Sequence, residues 1–387
     1  MSDTRLLLEI TPKGILSFGD ETAPIKLSSL NVLIGTNGSG KSNLIDVIGF
    51  IRSLADDPMQ EIIENGGLLE WAWKGDSSKQ LCLNIFGNDL YSSWNHNIIF
   101  QTGNDFFFNK EETILDHRLH PEYLIFENKN LRYRILDYLD GEKWEKLNAD
   151  SLDRQKSVIS QIRDPNRYEL ITRLATIYSG IRIYREWSFG RKNILRNPKP
   201  ADSRNDYLAE DYSNLGLVLS RSRINPDFKN AILENLRLLY QGLTDFDVLI
   251  QGGTTQIFLT EGKFSIPATR LSDGTLRYLC LLAILCDPKP PPLICIEEPE
   301  LGLHPDILPS LAQLLVTAAT RTQLIVTTHS EILIDALTDY PEYVLICEKT
   351  DGQTQIKNLD AEKLKIWLKD YRLGQLWMRG QLGGTRW

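Results

Sequence analysis

Residues 35–42, Gly35-Thr36-Asn37-Gly38-Ser39-Gly40-Lys41-Ser42, spell G-x-x-x-x-G-K-S between an apolar run and a helical pattern, and no other stretch limits this chain as strongly. The upstream run Leu30-Asn31-Val32-Leu33-Ile34 reads as a buried strand that ends at a ligand site. Downstream, Leu44, Val47, Ile48, Ile51 and Leu54 recur at helical spacing, so one face packs on a sheet while the helix N-terminus offers free N–H groups to phosphate. The glycines let the backbone wrap closely round a polyphosphate and turn amide dipoles inward. Asn37, Gly38, Ser39, Gly40, Lys41, Ser42 and Asn43 are therefore the expected nucleotide contacts. Lys41 is expected to neutralise the β- and γ-phosphates, and the Ser42 hydroxyl to reach Mg2+, a hard ion that takes few protein ligands.

The rest of the chain has room for such a site. At 387 residues and 42% hydrophobic content it is long enough for two or three lobes. No apolar run approaches the ~20 residues that span a bilayer, and residues 1–5 lack the plan of a signal peptide, so a cytoplasmic protein without a membrane partner is expected. Cys82, Cys280, Cys286, Cys295 and Cys347 lie mostly in apolar runs without metal-ligand spacing and read as reduced core thiols. A net charge of −8 argues against nucleic acid covering the whole surface while leaving room for a local basic face.

The N-terminus reads as a hairpin, with residues 6–10 and 15–18 as strands and Thr11-Pro12-Lys13-Gly14 as the turn. After the first helix, runs at 81–86, 97–100, 123–126 and 131–136 are separated by Gly, Asn and Asp turns, which predicts an antiparallel meander completing an N-terminal lobe over 1–148. Helical patterns at 152–162, 168–177 and 228–240 suggest a mainly helical insertion over 149–268, broken by a strand at 181–184 and an exposed basic loop at 191–202. Residues 269–387 form the C-terminal lobe. No heptad repeat extends between Lys41 and Ser272, so no long coiled-coil arm is expected.

That lobe carries further strand-end chemistry. Leu271-Ser272-Asp273-Gly274-Thr275-Leu276-Arg277 opens an apolar helix. Leu293-Ile294-Cys295-Ile296-Glu297-Glu298-Pro299-Glu300 is an apolar strand ending in adjacent carboxylates, and strand ends are where ligands collect in open α/β sheets. One carboxylate can hold a metal through its waters, and the other can orient a water and accept its proton. A third strand, residues 323–328, leads to His329-Ser330.

This order of motifs resembles the ABC-type ATPase heads of the RecF and SMC group, an α/β P-loop fold with an antiparallel β-subdomain and a helical insertion. The resemblance aligns 35–42 with Walker A, 271–277 with the ABC signature, 294–298 with Walker B, Leu301-Gly302-Leu303-His304-Pro305 with the D-loop, and His329 with the switch histidine. The wording Gly-Lys-Ser-Asn and Glu-Glu-Pro-Glu is similar to that branch rather than to membrane transporters. The ending at 367–377 resembles compact bacterial AAA-family ATPases without coiled-coil arms.

The resemblance implies an ATP-dependent head-to-tail homodimer, with Ser272 and Gly274 of one chain contacting the γ-phosphate held by Lys41 of the other. It makes Glu298 the catalytic base, Glu297 the Mg2+-side ligand, and His329 the γ-phosphate sensor. Three departures stand out. Glu297 replaces the usual Asp, Asp273 and Thr275 replace the usual Gly and Gln, and Gln101 is only a candidate for the Q-loop. These point to slow turnover.

Two functions follow as expectations. One is an ATPase acting on DNA, with phosphates contacted by the 182–204 basic segment, namely Arg182, Arg185, Arg191, Lys192, Arg196, Lys199 and Arg204. The other is a slow ATPase sensor or scaffold that restrains a separately encoded effector, such as a Toprim-type nuclease or a toxin, in antiviral defence.

Overall fold

The computed structural model describes residues 5–75, 80–102, 107–118, 123–139, 143–187, 190, 193–202 and 204–384. The chain begins with β1 (Leu7–Lys13), β2 (Ile25–Lys26) and β3 (Leu30–Ile34), then α1 (Lys41–Ser53), α2 (Pro58–Glu64) and α3 (Leu68–Trp71). A meander follows: β4 (Gln80–Asn88), β5 (Ser93–Thr102), β6 (Phe107–Asp116), β7 (Tyr123–Lys129), β8 (Arg132–Asp137) and β9 (Lys143–Leu147). Next come α4 (Val158–Gln161), α5 (Glu169–Ser179), β10 (Arg182–Tyr184), β11 (Lys199–Pro200), α6 (Leu215–Ser220) and α7 (Pro226–Leu239). The remaining elements are β12 (Leu243–Gln251), β13 (Thr254–Glu261), β14 (Phe264–Pro267), α8 (Asp273–Leu285), β15 (Leu293–Glu297), α9 (Leu308–Ala318), β16 (Gln323–Thr327), α10 (Glu331–Asp335), β17 (Val344–Thr350), β18 (Gln353–Asn358), α11 (Ala361–Leu364) and α12 (Leu373–Met378).

The site rests on a six-stranded sheet ordered β10-β15-β16-β3-β17-β18, in which all pairings are parallel except β17 with β18. Its central strands are buried on both faces, which is why they read as unbroken apolar runs. Because successive side chains point to opposite faces, the strands feed two cores. Ile294, Ile296, Leu324, Val326, Val32 and Ile34 join a core built with α6, α7, α8 and α9. Leu293, Cys295, Ile325, Leu33 and Leu345 join another, with α1, α5 and the meander.

The meander belongs to an eight-stranded antiparallel sheet, β2-β1-β4-β5-β6-β7-β8-β9, whose β4 and β5 alternate strictly between buried and part-exposed residues. The expected N-terminal hairpin is not formed. Thr11, Pro12 and Lys13 continue β1 and pair with Asn84, Leu83 and Cys82 of β4. Pro12 is tolerated because β2 pairs only at Glu9 and Ile10, so the missing N–H falls where β1 has no second neighbour. The turn lies further on, where Ile15 bridges Phe18.

Within 149–268 the helix expected at 152–162 shrinks to α4, and β11 to β14 form a small antiparallel sheet in place of further helix. From the same segment β10 crosses into the central sheet, beside β15.

Candidate active site

The phosphate-binding features converge because β3, β15 and β16 are parallel and in register. Thr327 stands opposite both Leu33 and Glu297, so their C-terminal ends share one edge. The phosphate loop leaves β3 there and enters α1 at Lys41. Asn37 and Gly38 are exposed on its crown, Ser39 and Gly40 are buried, and Ser42 is exposed. The Lys41 ammonium donates to the carbonyls of Gly35 and Thr36 at 2.9 and 3.0 Å. Burial lowers its pKa, against the opposing pull of Cys347, Glu298 and Glu297.

Glu297 ends β15 with its carboxylate hydrogen-bonded by the Ser42 side chain, so the two expected metal-side residues are together. Burial raises its pKa, although Arg185 pulls it down. One oxygen, Oε1, is buried with no hydrogen-bond partner among the described residues. A buried carboxylate oxygen without a donor, next to a hydroxyl at the foot of the phosphate loop, fits a hard cation. Arg185, just past β10, bonds Asp46 of α1 at 2.8 Å and also faces Glu297.

Glu298 follows with φ at 45°, a left-handed conformation uncommon outside glycine, and its N–H donates to Thr327 O at 3.0 Å. Glu298 Oε1 lies 3.7 Å from His329 Nε2. The pKa of His329 is lowered by burial and then by Lys41, which outweigh Glu298, so the imidazole is neutral at pH 7.

Ser272 caps α8 by accepting from Thr275 N at 3.0 Å, and its side chain is solvent-exposed. Gly274 packs so tightly on the D-loop that a Cβ there would lie 2.9 Å from Gly302 O. A groove of about 760 Å³ beside them is lined by Ser272, Gly274, Gly302 and His304, and by no residue of the phosphate loop. The signature residues thus join a surface of their own.

Several contributors to the site are not legible as motifs. Glu300 Oε1 accepts from Thr328 Oγ1 at 2.6 Å and from His329 N at 2.8 Å, fixing the turn that carries the histidine. Trp187 Nε1 donates to Glu297 O at 2.6 Å. Ser17 and Thr354 buttress the phosphate loop from distant parts of the chain. Gln101 pairs its side chain with Gln80 across β4 and β5.

The basic segment is largely engaged by its own chain. Arg182 donates to Ser179 O and Ile181 O, Arg185 pairs with Asp46, Arg196 with Asp273, and Arg204 with Asp206. Arg191 and Lys192 lie outside the described residues. No helix among the described residues is long and apolar enough to cross a membrane.

The sheet order and the strand-edge site define an α/β P-loop ATPase of the ABC type, built like an SMC head. The chain belongs to the family described as "AAA domain, putative AbiEii toxin, Type IV TA system", whose profile matches residues 30–76 and 128–335. No curated protein matches. Among solved structures, an Smc head bound to the C-terminal winged-helix domain of ScpA superposes with a TM-score of 0.58 at 14% identity, covering 92% of this chain and 99% of that one. The Smc head of Pyrococcus furiosus, with an extended coiled coil and bound to the C-terminal domain of ScpA, gives 0.52 at 13% identity, covering 95% and 99%. That of Pyrococcus yayanosii, with a coiled coil and joint, gives 0.51 at 11% identity, covering 95% and 99%. At these identities the likeness is one of fold.

Proposed function

We propose that this chain is a slow Mg2+-dependent ATPase that closes into a head-to-tail homodimer on ATP and opens on hydrolysis. One observation carries the reading. Ser272 and Gly274 occupy an exposed groove that their own phosphate loop does not line, as expected of half-sites completed by a second copy.

In this mechanism Lys41 leaves the carbonyls of Gly35 and Thr36 for the β- and γ-phosphates. Ser42 and Glu297 would hold Mg2+, which supplies charge neutralisation on the phosphate oxygens when bound. Glu298, turned towards His329, orients the attacking water and takes its proton. Neutral His329 hydrogen-bonds the γ-phosphate and registers its loss. The partner's signature turn adds a hydroxyl and a helix N-terminus to the same phosphate, so hydrolysis removes the bridge between copies.

The family's description as a putative AbiEii toxin of a type IV toxin–antitoxin system supports a setting in which the chain works with a separately encoded partner. The reading takes that setting to be defence, with a toxin or a Toprim-type nuclease as the effector. Within that setting Glu297, in place of the usual Asp on the metal side, favours a slow sensor over a fast motor. DNA contact through 182–204 is the weaker reading, because four of its arginines are paired internally.

The decisive experiment is light scattering with ATP and Mg2+. Glu298→Gln is expected to accumulate as an ATP-bound dimer and Lys41→Ala to stay monomeric. Equal monomer fractions for the two variants would overturn the head-to-tail reading.

A further inference from the structure

The signature turn contains a carboxylate where a triphosphate is meant to dock. Asp273 lies between Ser272 and Gly274, half exposed, at the first position of α8. An acid suits a helix N-terminus, but beside a γ-phosphate it repels the ligand.

Arg196 answers that charge. Its side chain is only 11% exposed, and it donates from all three nitrogens. Nη2 bonds Asp273, Nη1 bonds Leu271 O at 2.6 Å and lies 3.4 Å from Ala268 O and Thr269 O, and Nε bonds Gly190 O at 2.9 Å. One planar guanidinium therefore neutralises the acid and pins the last turn before α8. A lysine, with its single point of charge, cannot match this fork.

The same stretch of chain also grips the opposite half of the machinery. Trp187 Nε1 holds the carbonyl of Glu297, while Arg277 of α8 donates to Trp187 O at 2.7 Å and lies over its ring at 5.3 Å. Trp187 and Arg196 thus hold the carboxylate strand and the signature helix in a fixed relation.

We propose that Arg196 is the positioning residue of the signature half-site: it cancels the charge of Asp273 and presents Ser272 and Gly274 to a triphosphate bound by a second copy of the chain. This rests on the head-to-tail reading. It adds that Arg196 acts in trans, on hydrolysis at the partner's phosphate loop, and that an acidic signature works only because of this arginine.

The test has two parts. Arg196→Ala is expected to lower kcat about 30-fold with KM for ATP within about twofold, and adding Asp273→Asn to recover at least about fivefold of that loss. Arg196→Lys, which keeps the charge and loses the fork, should fall between wild type and Arg196→Ala. If Arg196 is only a structural staple, KM and thermal stability move with kcat and Asp273→Asn rescues nothing; that result overturns the proposal.

Second, Arg196→Ala is mixed with Glu298→Gln. Each mixed dimer pairs an intact phosphate loop on the Arg196→Ala chain with an intact signature on the other. With the two chains combined before ATP is added, half the dimers that first form are mixed and each has one working site, so the fast-phase amplitude of a single turnover should reach about a quarter of wild type. If Arg196 serves its own phosphate loop, the mixture stays as inactive as its components, which overturns the proposal while the Glu298→Gln dimer still forms. Failure of Glu298→Gln to dimerise with ATP overturns the head-to-tail reading and this inference with it.

Discussion

The side chain of Thr354 fills the space that a β-carbon on Gly40 would need: a Cβ built there would lie 2.0 Å from Thr354 Oγ1. Thr354 donates to Ser39 O at 2.9 Å, and since a hydroxyl has one proton, it must accept from Ser17 Oγ, 2.6 Å away. Ser17 in turn accepts from Asn43 Nδ2 at 2.6 Å. The relay Asn43, Ser17, Thr354, Ser39 thus runs in one direction and clamps the phosphate loop between β18 and the N-terminal turn.

Gly40→Ala is accordingly expected to abolish ATP binding and to destabilise the protein by about 2 kcal/mol or more, since alanine meets both the clash and a φ of 101°. Thr354→Val keeps the shape but leaves the buried Ser39 carbonyl without its donor, at a cost of about 1–2 kcal/mol. Urea unfolding and ATP titration calorimetry of the two variants check both values.

How far the sequence reveals this site depends on how local each part is. The phosphate loop, the Glu297-Glu298 pair and His329 each follow an apolar strand within a few residues, so motif and context can be read together. Ser17 and Thr354 are 337 positions apart, and nothing in either neighbourhood marks them as partners. Glu300 reads as part of an acidic run until Thr328 and His329 fold back on it. Strand β6 escapes the alternation rule because Asn109 and Glu112 point into the core, where Glu112 accepts from Asn109, His96, Ser157 and Val158. The β12–β13 hairpin did carry a signal, with Phe246, Val248, Ile257 and Leu259 alternating around Gly252-Gly253.

Glu300→Ala is expected to reduce kcat about tenfold to a hundredfold while the Kd for ATP stays near wild type. The change frees Thr328 Oγ1 and the His329 N–H together, so the histidine loses its fixed approach although the phosphate loop is untouched. Single-turnover hydrolysis alongside equilibrium nucleotide binding separates the two effects.

The C-terminal segment gives a pH-dependent prediction. Glu348 accepts from Gly384 N at 2.9 Å and pairs with Lys357 at 3.0 Å, and these contacts depress its pKa in that order. Gly384 also abuts the phosphate loop, as a Cβ on it would lie 3.3 Å from Gly35 Cα. A carboxyl with a depressed folded pKa contributes stability above its ordinary 4.5, and that stability is lost as pH falls through the folded value. Glu348→Gln should therefore be less stable than wild type at pH 7, with the difference closing as pH falls below 4.5 and through the lowered folded value. Urea midpoints for both proteins across that range test the sign.

Gly274→Ala separates nucleotide binding from dimer formation. A methyl group at 274 would meet Gly302 O at 2.9 Å, and a backbone carbonyl cannot swing aside like a side chain. Either α8 shifts away from the D-loop or the D-loop moves, and both displace the groove that holds Ser272. The phosphate loop, on another surface, keeps its geometry, so the isolated chain should bind ATP as wild type does. The ATP-dependent dimer should be lost, even in a Glu298→Gln background that otherwise accumulates it. Calorimetry on the monomer and light scattering with ATP and Mg2+ read the two properties apart. A Gly274→Ala, Glu298→Gln protein that still dimerises fully on ATP would remove the signature turn from the interface.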